Sequence, residues 1–247
     1  MNFFSLFKRN ILYKIKKKIN IDVDDVNNDD LDKLFYYYGS DKANIFRKNK
    51  NTGHGFSKFY SKQLKHFKDK KIKILEIGSY AGASASAFAK YFPKSTIYCF
   101  DINISNFEYY SNRLNVYGLD INNSKELKKI LKKINTRTET QFFDIIIDDG
   151  SHYLSDILFS FKTFFKFLKK KGIYVIEDFK LPNYYDYNFN VEDILIDKML
   201  ENLKNKKYFE SNIINSDDQK YLINTIDKIN IYKGNLVDSD ICFIEKN

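Results

Sequence analysis

Apolar runs of strand length alternate with stretches of helical periodicity from Lys71 to the end of the chain. This alternation predicts a parallel sheet covered by helices, and hence an α/β fold. Two late runs flank Gly234-Asn235 and predict an antiparallel pair at the sheet edge. The predicted strands are Ile72–Ile77, Thr96–Phe100, Asn115–Tyr117, Phe142–Ile147, Ile173–Ile176, Ile229–Tyr232 and Ile241–Ile244. The predicted helices are Ser84–Tyr91, Ser124–Ile134, one that buries residues from Ile157 to Leu168, and Val191–Leu203.

The first twenty residues carry lysines and an arginine, no acid, and apolar side chains at helical spacing. This pattern predicts a basic amphipathic helix. We expect it to dock on the core of its own chain or on a partner subunit of a homo-oligomer, and the alternative is that it rests on an anionic membrane surface. The next stretch, residues 22–32, is acidic and rich in Asn, and predicts a linker.

Length and composition narrow the class of protein. The chain has 247 residues, 43% hydrophobic, with only two prolines and nine glycines, so it predicts one principal folded domain and excludes disordered or fibrous classes. No apolar stretch approaches the roughly 20 residues that cross a bilayer, and no signal-peptide pattern is present, so we expect a cytoplasmic protein without a transmembrane segment. Cys99 and Cys242 lie in apolar runs, which predicts buried, reduced thiols.

Small residues follow the first predicted strand, at the carboxyl edge where α/β sheets bind ligands. Gly78 and Gly82 allow a tight turn and close approach of a ligand, but their spacing is neither G-x-G-x-x-G nor that of a P-loop. Glu76 would repel phosphate and tolerate the cationic groups of S-adenosylmethionine. Asp101, 25 positions later at the end of the second strand, can accept two ribose hydroxyl protons. The alternative is that the glycines serve only the turn and Asp101 caps a loop.

Acids also end the fourth and fifth predicted strands, in Asp148-Asp149-Gly150-Ser151-His152 and in Glu177-Asp178. Neighbouring strands lie about 4.8 Å apart, so these acids can converge on one ion. Asp149, Glu177 and Asp178 predict an all-oxygen site that suits Mg²⁺ or Mn²⁺ rather than zinc. His152 is predicted to be a general base for a hydroxyl acidified by that metal, with a purely structural role as the alternative.

Several motifs carry a resemblance to known enzymes. Glu76-Ile77-Gly78, followed by Gly82, resembles the first motif of class I S-adenosylmethionine-dependent methyltransferases. Phe143–His152 together with Gly172–Asp178 resembles the metal-dependent sugar O-methyltransferases that modify macrolide deoxysugars, and related enzymes of bacterial surface-glycan clusters. The segment Tyr38-Gly39-Ser40-Asp41-Lys42, with His54-Gly55-Phe56 and Tyr60, resembles the element that precedes the sheet in that family and helps to enclose the cofactor. The resemblance covers roughly residues 31 to 180.

The resemblance implies a Rossmann-like methyltransferase fold with a mostly parallel, seven-stranded sheet. It places the methyltransferase domain at residues 71–247 and a helical, cofactor-covering segment at residues 1–70. His152 and Asp149 would be catalytic, and Asp149, Glu177 and Asp178 would hold Mg²⁺ or Mn²⁺. The residues expected to bind S-adenosyl-L-methionine are Tyr38, Ser40, Lys42, Glu76, Gly78, Gly82, Ser84, Asp101, Asp120 and Asp148.

The acceptor stays open between three classes. The resemblance favours a sugar or sugar-linked group of a capsule or other surface polysaccharide. A phosphorylated or phosphoramidate precursor of a capsule decoration is the second, and a nucleic acid is the third. The net charge of +9 favours anionic partners only if the basic residues form one face, and low-GC codon usage also produces a lysine excess. The three acids would repel a phosphate backbone, so no nucleic-acid partner is expected. Aromatic residues at 182–187 are candidates to stack on a sugar or to pack on the following helix.

Overall fold

The computed structural model describes residues 3–26, 29–134, 140–184 and 193–247. The chain divides into two compact units, the first at 1–136 with 234–236 and the second at 137–233 with 237–247. The domain boundary expected between residues 70 and 71 stays a prediction.

The first unit contains five α-helices, three short 3₁₀ turns and five strands among its described residues. Its longer elements, in chain order, are α1 (Phe3–Ile15), β1 (Ile19–Asn20), α2 (Leu31–Tyr38), α3 (Ser57–Leu64), β2 (Lys73–Ile77), α4 (Ala83–Tyr91), β3 (Thr96–Asp101), β4 (Tyr109–Tyr110), β5 (Leu114–Gly118) and α5 (Ser124–Ile134). Short 3₁₀ turns lie at Ile21–Val23, Lys65–Phe67 and Ile104–Asn106.

The second unit continues the alternation and ends in two antiparallel strands. Its elements are β6 (Phe143–Asp148), α6 (Leu154–Phe164), β7 (Leu168–Glu177), α7 (Ile196–Lys204), α8 (Ser216–Thr225), β8 (Ile226–Lys233) and β9 (Asp240–Lys246). Short 3₁₀ turns lie at Phe165–Phe167 and Leu181–Tyr184.

Seven strands form one sheet, in the order β5-β3-β2-β6-β7-β9-β8. β5, β3 and β2 are parallel in the first unit, and β6 and β7 are parallel in the second. β9 runs antiparallel to both β7 and β8. This mostly parallel sheet with an antiparallel edge pair confirms the predicted α/β fold class.

Small side chains let α4 pack closely in the first unit. Ala85, Ala87 and Ala89 are fully buried, as is Phe88 between them. The ring of Phe88 meets that of Phe35 in α2 edge-on, with centroids 5.2 Å apart. A helix that is buried nearly all round cannot carry charged residues in its middle, which is why this stretch of sequence is so poor in polar groups larger than serine.

The first helix docks on its own unit, one of the two arrangements expected. Arg9 donates from Nη1 to the carbonyl of Ile102 at 3.1 Å, and the ring of Tyr13 meets that of Phe107 edge-on at 6.2 Å. None of the helices in the described part of the chain is long and apolar enough to span a membrane.

The acidic stretch at 22–32 is more than the linker that its composition predicted. Asp22 accepts hydrogen bonds from the Ser111 hydroxyl at 2.6 Å and from the Asn112 backbone at 2.9 Å. Asp30 caps the N-terminus of α2 by accepting the backbone N–H groups of residues 32 and 33. Asp22 therefore ties this segment to the rest of the unit, and Asp30 starts α2. Residues 27 and 28 lie outside the described part.

Two predicted boundaries in the second unit are wrong. The helix expected to bury Leu168 ends at Phe164, and Leu168 is instead the first residue of β7. The apolar run continues past the helix end without a break, so periodicity could not separate the two elements. The helix expected from residue 191 begins at Ile196, and residues 185–192, which include part of the aromatic segment, lie outside the described residues.

Candidate active site

The loop between β2 and α4 has a left-handed backbone at Gly78, Tyr80 and Gly82, with φ of 84°, 41° and 80°. A side chain at Gly82 could not be accommodated, because its Cβ would lie 2.4 Å from the ring of Phe107. The N–H groups of residues 78 and 79 both donate to the carbonyl of Phe100, and Gly82 donates to the carbonyl of residue 79. The backbone donors of residues 78, 79 and 82 are therefore already paired with carbonyl groups of the protein.

Two acids follow strands of the first unit. Asp101, at the end of β3, accepts the backbone N–H of Tyr80 at 2.7 Å on Oδ2 and that of Asn103 at 2.5 Å on Oδ1. Asp101 therefore does cap a loop, but a carboxylate offers roughly four acceptor positions, so two remain for ribose hydroxyls. Asp120, beyond β5, accepts the backbone N–H of Asn122 at 3.0 Å. The cofactor roles of both acids stay predictions.

Glu76 is a fully buried acid beneath the glycine loop. The hydroxyl of Ser84, in the first turn of α4, donates to Glu76 Oε1 at 2.5 Å. This bond joins the strand before the loop to the helix after it.

Burial, reinforced by the charge of Glu76, raises the pKa of the Cys99 thiol well above its usual value, so Cys99 stays protonated. Both cysteines are buried and free, as predicted.

The segment before the sheet is held by its own hydrogen bonds. Gly39 ends α2 in a left-handed conformation with φ 79°. Tyr38 donates to Asp24 Oδ2 at 3.1 Å, and burial together with that carboxylate raises the pKa of Tyr38. Ser40 Oγ accepts the backbone N–H of Lys42 at 3.3 Å, and the side chains of Tyr38, Ser40 and Lys42 are all buried. Their contact with a cofactor stays a prediction.

Three metal-binding side chains converge in the second unit. One ligand atom from each of Asp149, His152 and Asp178 lies within 4.8 Å of the others. His152 Nε2 lies 3.6 Å from Asp149 Oδ1, and both side chains are about one-fifth exposed, which leaves the cluster open to a ligand. Glu177 is buried at the end of β7, and this cluster does not include it, so its role as a metal ligand stays a prediction.

The backbone is strained at two of the three cluster residues. His152 has φ 57° and Asp178 has φ 48°, both in the left-handed region that non-glycine residues seldom adopt. Such conformations cost on the order of 1–3 kcal/mol each and persist where the surroundings enforce them, most often at functional sites. In the turn before His152, the hydroxyl of Ser151 donates to Asp156 Oδ2 at 2.5 Å. The fold thus holds His152 and Asp178 in this orientation at a cost in conformational free energy.

Asp148 lies in the core of the second unit. Tyr174 in β7 donates to Asp148 Oδ2 at 3.3 Å, and the hydroxyls of Tyr174 and Ser160 lie 3.0 Å apart. Burial raises the pKa of Asp148 to about 6, opposed by its hydrogen bonds and by the charge of His152. The partners in α6 and β7 were not predicted, since they look like ordinary core positions in the sequence. A cofactor contact for Asp148 stays a prediction.

The donor set fits a hard divalent cation. Asp149 and Asp178 supply carboxylate oxygens, the ligands that Mg²⁺ and Mn²⁺ prefer. Mg²⁺ usually keeps several positions for water or substrate oxygens, so two or three protein carboxylates suffice. The imidazole of His152 is a poorer ligand for such an ion than a carboxylate is. Of the three side chains, it is the one suited to accept a proton.

Comparison with known proteins identifies the family. Residues 68–232 match the model of a methyltransferase domain, and the chain belongs to that family. A mycinamicin VI 2''-O-methyltransferase from Micromonospora griseorubida is 29% identical over 132 residues, which cover 51% of this chain and 31% of that protein. An L-olivosyl-oleandolide 3-O-methyltransferase from Streptomyces antibioticus is 31% identical over 155 residues, which cover 60% and 36%. This chain thus spans about a third of the length of these curated relatives.

A solved structure shares the fold. The MycE methyltransferase from the mycinamycin biosynthetic pathway, in complex with Mg and SAH, matches with a TM-score of 0.65 and 23% sequence identity. The match covers 88% of this chain and 54% of that one. It confirms the Rossmann-like methyltransferase fold that the motifs implied.

Proposed function

We propose that this chain transfers a methyl group from S-adenosylmethionine to a hydroxyl of a sugar, with the help of a divalent metal. The observation that carries the proposal is the convergence of Asp149, His152 and Asp178 in a member of the methyltransferase domain family. The similar proteins are O-methyltransferases, one named for mycinamicin VI and one for L-olivosyl-oleandolide. A metal-assisted reaction suits such an acceptor, because an unactivated sugar hydroxyl is a poor nucleophile at neutral pH.

The first unit would bind the cofactor. S-adenosylmethionine supplies a methyl group on a sulfonium, which an oxygen nucleophile can displace. Gly78 and Gly82 let the backbone approach the ligand, and Asp101 retains two acceptor positions for the ribose hydroxyls. The spacing of these glycines is not that of a dinucleotide-binding loop, which supports a nucleoside-like cofactor over a dinucleotide.

The second unit would bind the metal and accept the proton. Asp149 and Asp178, with Glu177 as the predicted third ligand, would hold Mg²⁺. When bound, the ion lowers the pKa of a coordinated hydroxyl by several units. His152 Nε2 lies 3.6 Å from Asp149 Oδ1 and would receive the hydroxyl proton as the oxygen attacks the methyl group. Its strained backbone keeps the imidazole at this position.

The acceptor is assigned to a sugar on two grounds. One of the similar proteins, the L-olivosyl-oleandolide 3-O-methyltransferase, is named for an acceptor that carries a sugar. Two rings in the second unit are also well exposed, Tyr153 directly after His152 at 48% and Tyr184 at 53%. Exposed aromatic rings are suited to packing against the apolar face of a sugar. The finer assignment to a cytoplasmic step of capsule or other surface-polysaccharide synthesis is supported by the motif resemblance alone.

Mass spectrometry of a panel of acceptors tests this proposal. The chain is incubated with Mg²⁺ and S-adenosylmethionine that carries a deuterated methyl group, in the presence of a deoxysugar glycoside, a sugar phosphate or an RNA oligonucleotide. We expect label on the glycoside only, lost in Asp149→Asn and retained in the control Asp227→Asn, which changes an acid that pairs with Lys171 on the surface. Label on the phosphate or the RNA instead, or no label on any glycoside while the cofactor still binds, would overturn the sugar assignment.

A further inference from the structure

The side of α1 that packs on the first unit is narrow and partly polar. Leu6 is 9% exposed, and Tyr13 contacts the ring of Phe107. Asn10 lies so close to Gly118 that a Cβ there would be 2.6 Å from its Oδ1. Among the side chains that the structure describes in α1, Leu6, Asn10 and Tyr13 therefore make the contacts with this unit, with Arg9 at the margin.

The opposite side of α1, which we call the outer face, consists of Phe7, Ile11, Leu12 and Ile15. These side chains are exposed by 57%, 44%, 41% and 74%. Phe7, Ile11 and Ile15 recur at intervals of four residues, so they form a stripe along one side of the helix. A surface helix ordinarily buries its larger apolar face. Here an apolar stripe points outward, which is costly in water unless another surface covers it.

Charge determines what kind of surface can cover the outer face. Lys8, Lys14 and Lys17 are exposed beside it, and residues 1–20 contain no acid. The acid that approaches this segment is Glu108, which pairs at 4.0 Å with Lys16. A second copy of the chain would bring the same lysines against these, since a two-fold interface pairs a surface with itself. The outer face thus suits a partner that is both apolar and anionic.

We propose that the outer face of α1 binds the surface of an anionic lipid bilayer. The apolar stripe would enter the boundary between headgroups and acyl chains, and the lysines would meet the anionic headgroups. The helix has 13 residues, too few to span a bilayer, and would lie along its surface. The proposal is independent of the methyltransferase activity, and the two can fail separately.

Co-sedimentation of the full chain with vesicles at physiological salt tests the proposal. We expect the chain to pellet with vesicles of equal parts phosphatidylglycerol and phosphatidylcholine and to stay in solution with phosphatidylcholine alone. Phe7→Ser combined with Ile11→Ser should abolish pelleting. Lys8→Gln combined with Lys14→Gln should weaken it about 25-fold, because each lysine near an anionic surface contributes about fivefold. The control Val237→Ser changes an apolar residue outside α1 that is even more exposed, at 78%, and should pellet like the parent.

Several results would overturn the proposal. The first is failure to pellet with the anionic vesicles, and the second is pelleting that persists in the Phe7 and Ile11 variant. Sedimentation velocity that shows a dimer lost in the same variant, without vesicle binding, would assign the outer face to a second copy. Retention on immobilised polyglutamate without vesicle binding would assign it to an acidic protein. Circular dichroism of each variant checks that α1 and the fold remain intact.

Discussion

Replacing Gly82 by alanine tests whether the cofactor loop has the geometry described. Gly82 has φ 80°, and an added Cβ would lie 2.4 Å from the tip of the Phe107 ring. Phe107 is fully buried, and its ring also contacts Tyr13 of α1, so it cannot move aside without disturbing other packing. The substitution therefore meets two costs, a left-handed backbone and a steric overlap.

A second glycine separates these two costs. Gly39 has φ 79°, and a Cβ built there meets nothing within 4 Å. Gly39→Ala should therefore cost only the left-handed conformation, on the order of 1 kcal/mol. Gly82→Ala should cost the same plus about 1–3 kcal/mol for the overlap, since that is the usual cost of overpacking a core. Both residues lie in the first unit, so the same unfolding transition reports both changes.

Urea unfolding of the two variants and the parent measures the difference. We expect Gly82→Ala to lose more free energy of unfolding than Gly39→Ala, and part of the excess to be recovered when Gly82→Ala is combined with Phe107→Leu. A coupling of about 0.5–3 kcal/mol is normal for residues in contact. Equal losses in the two alanine variants, together with a coupling near zero, would refute the described packing of Gly82 against Phe107.

Two further predictions follow from buried charges and the cofactor loop. Lys246 donates to the carbonyl of Leu168 at 2.7 Å, and burial lowers its pKa from 10.5 to about 8. Between these two pH values the unfolded chain binds more protons than the folded chain, so folding becomes more favourable as the pH rises. The stability of the parent relative to Lys246→Met, measured by urea unfolding, should therefore increase from pH 8 to pH 10.5. A stability difference that does not change with pH would contradict this. Calorimetry should show that S-adenosylhomocysteine binding is lost in Asp101→Ala and in Gly78→Val. Undiminished binding in both variants would contradict the assignment of the cofactor site to these residues.

The sheet could be predicted because its strands are continuous apolar runs bounded by small or acidic residues. The helix α5 was also predicted with both ends correct, since its leucines and isoleucines recur at helical spacing between lysines. Helix α8 was not predicted, because its buried residues include Gln219. The amide of Gln219 bonds to the backbone of Phe209 and Ile214, and nothing in the local sequence distinguishes such a glutamine from an exposed one.

The candidate metal site was predictable in outline. Asp149 and Asp178 both follow parallel strands that pair directly, so their side chains were expected to meet. The position of Glu177 was not predictable in the same way, because successive residues at the end of a strand point in opposite directions. The left-handed backbone at Asp178 and at His152 then sets the final direction of each side chain. Aspartate and histidine adopt this conformation more often than most residues, but the local sequence does not show which of them do so.

Electron paramagnetic resonance of Mn²⁺ tests the central claim most directly, since it needs no knowledge of the acceptor. Titration of the parent chain should show bound Mn²⁺ that Mg²⁺ displaces, and both Asp149→Asn and Asp178→Asn should lose it. His152→Ala should keep the bound ion, because the imidazole is proposed to take a proton and not to coordinate the metal, while any measured methyl transfer falls by about 10²- to 10⁴-fold. A parent chain that binds no Mn²⁺, or aspartate variants that bind it undiminished, would contradict a metal-assisted methyltransferase.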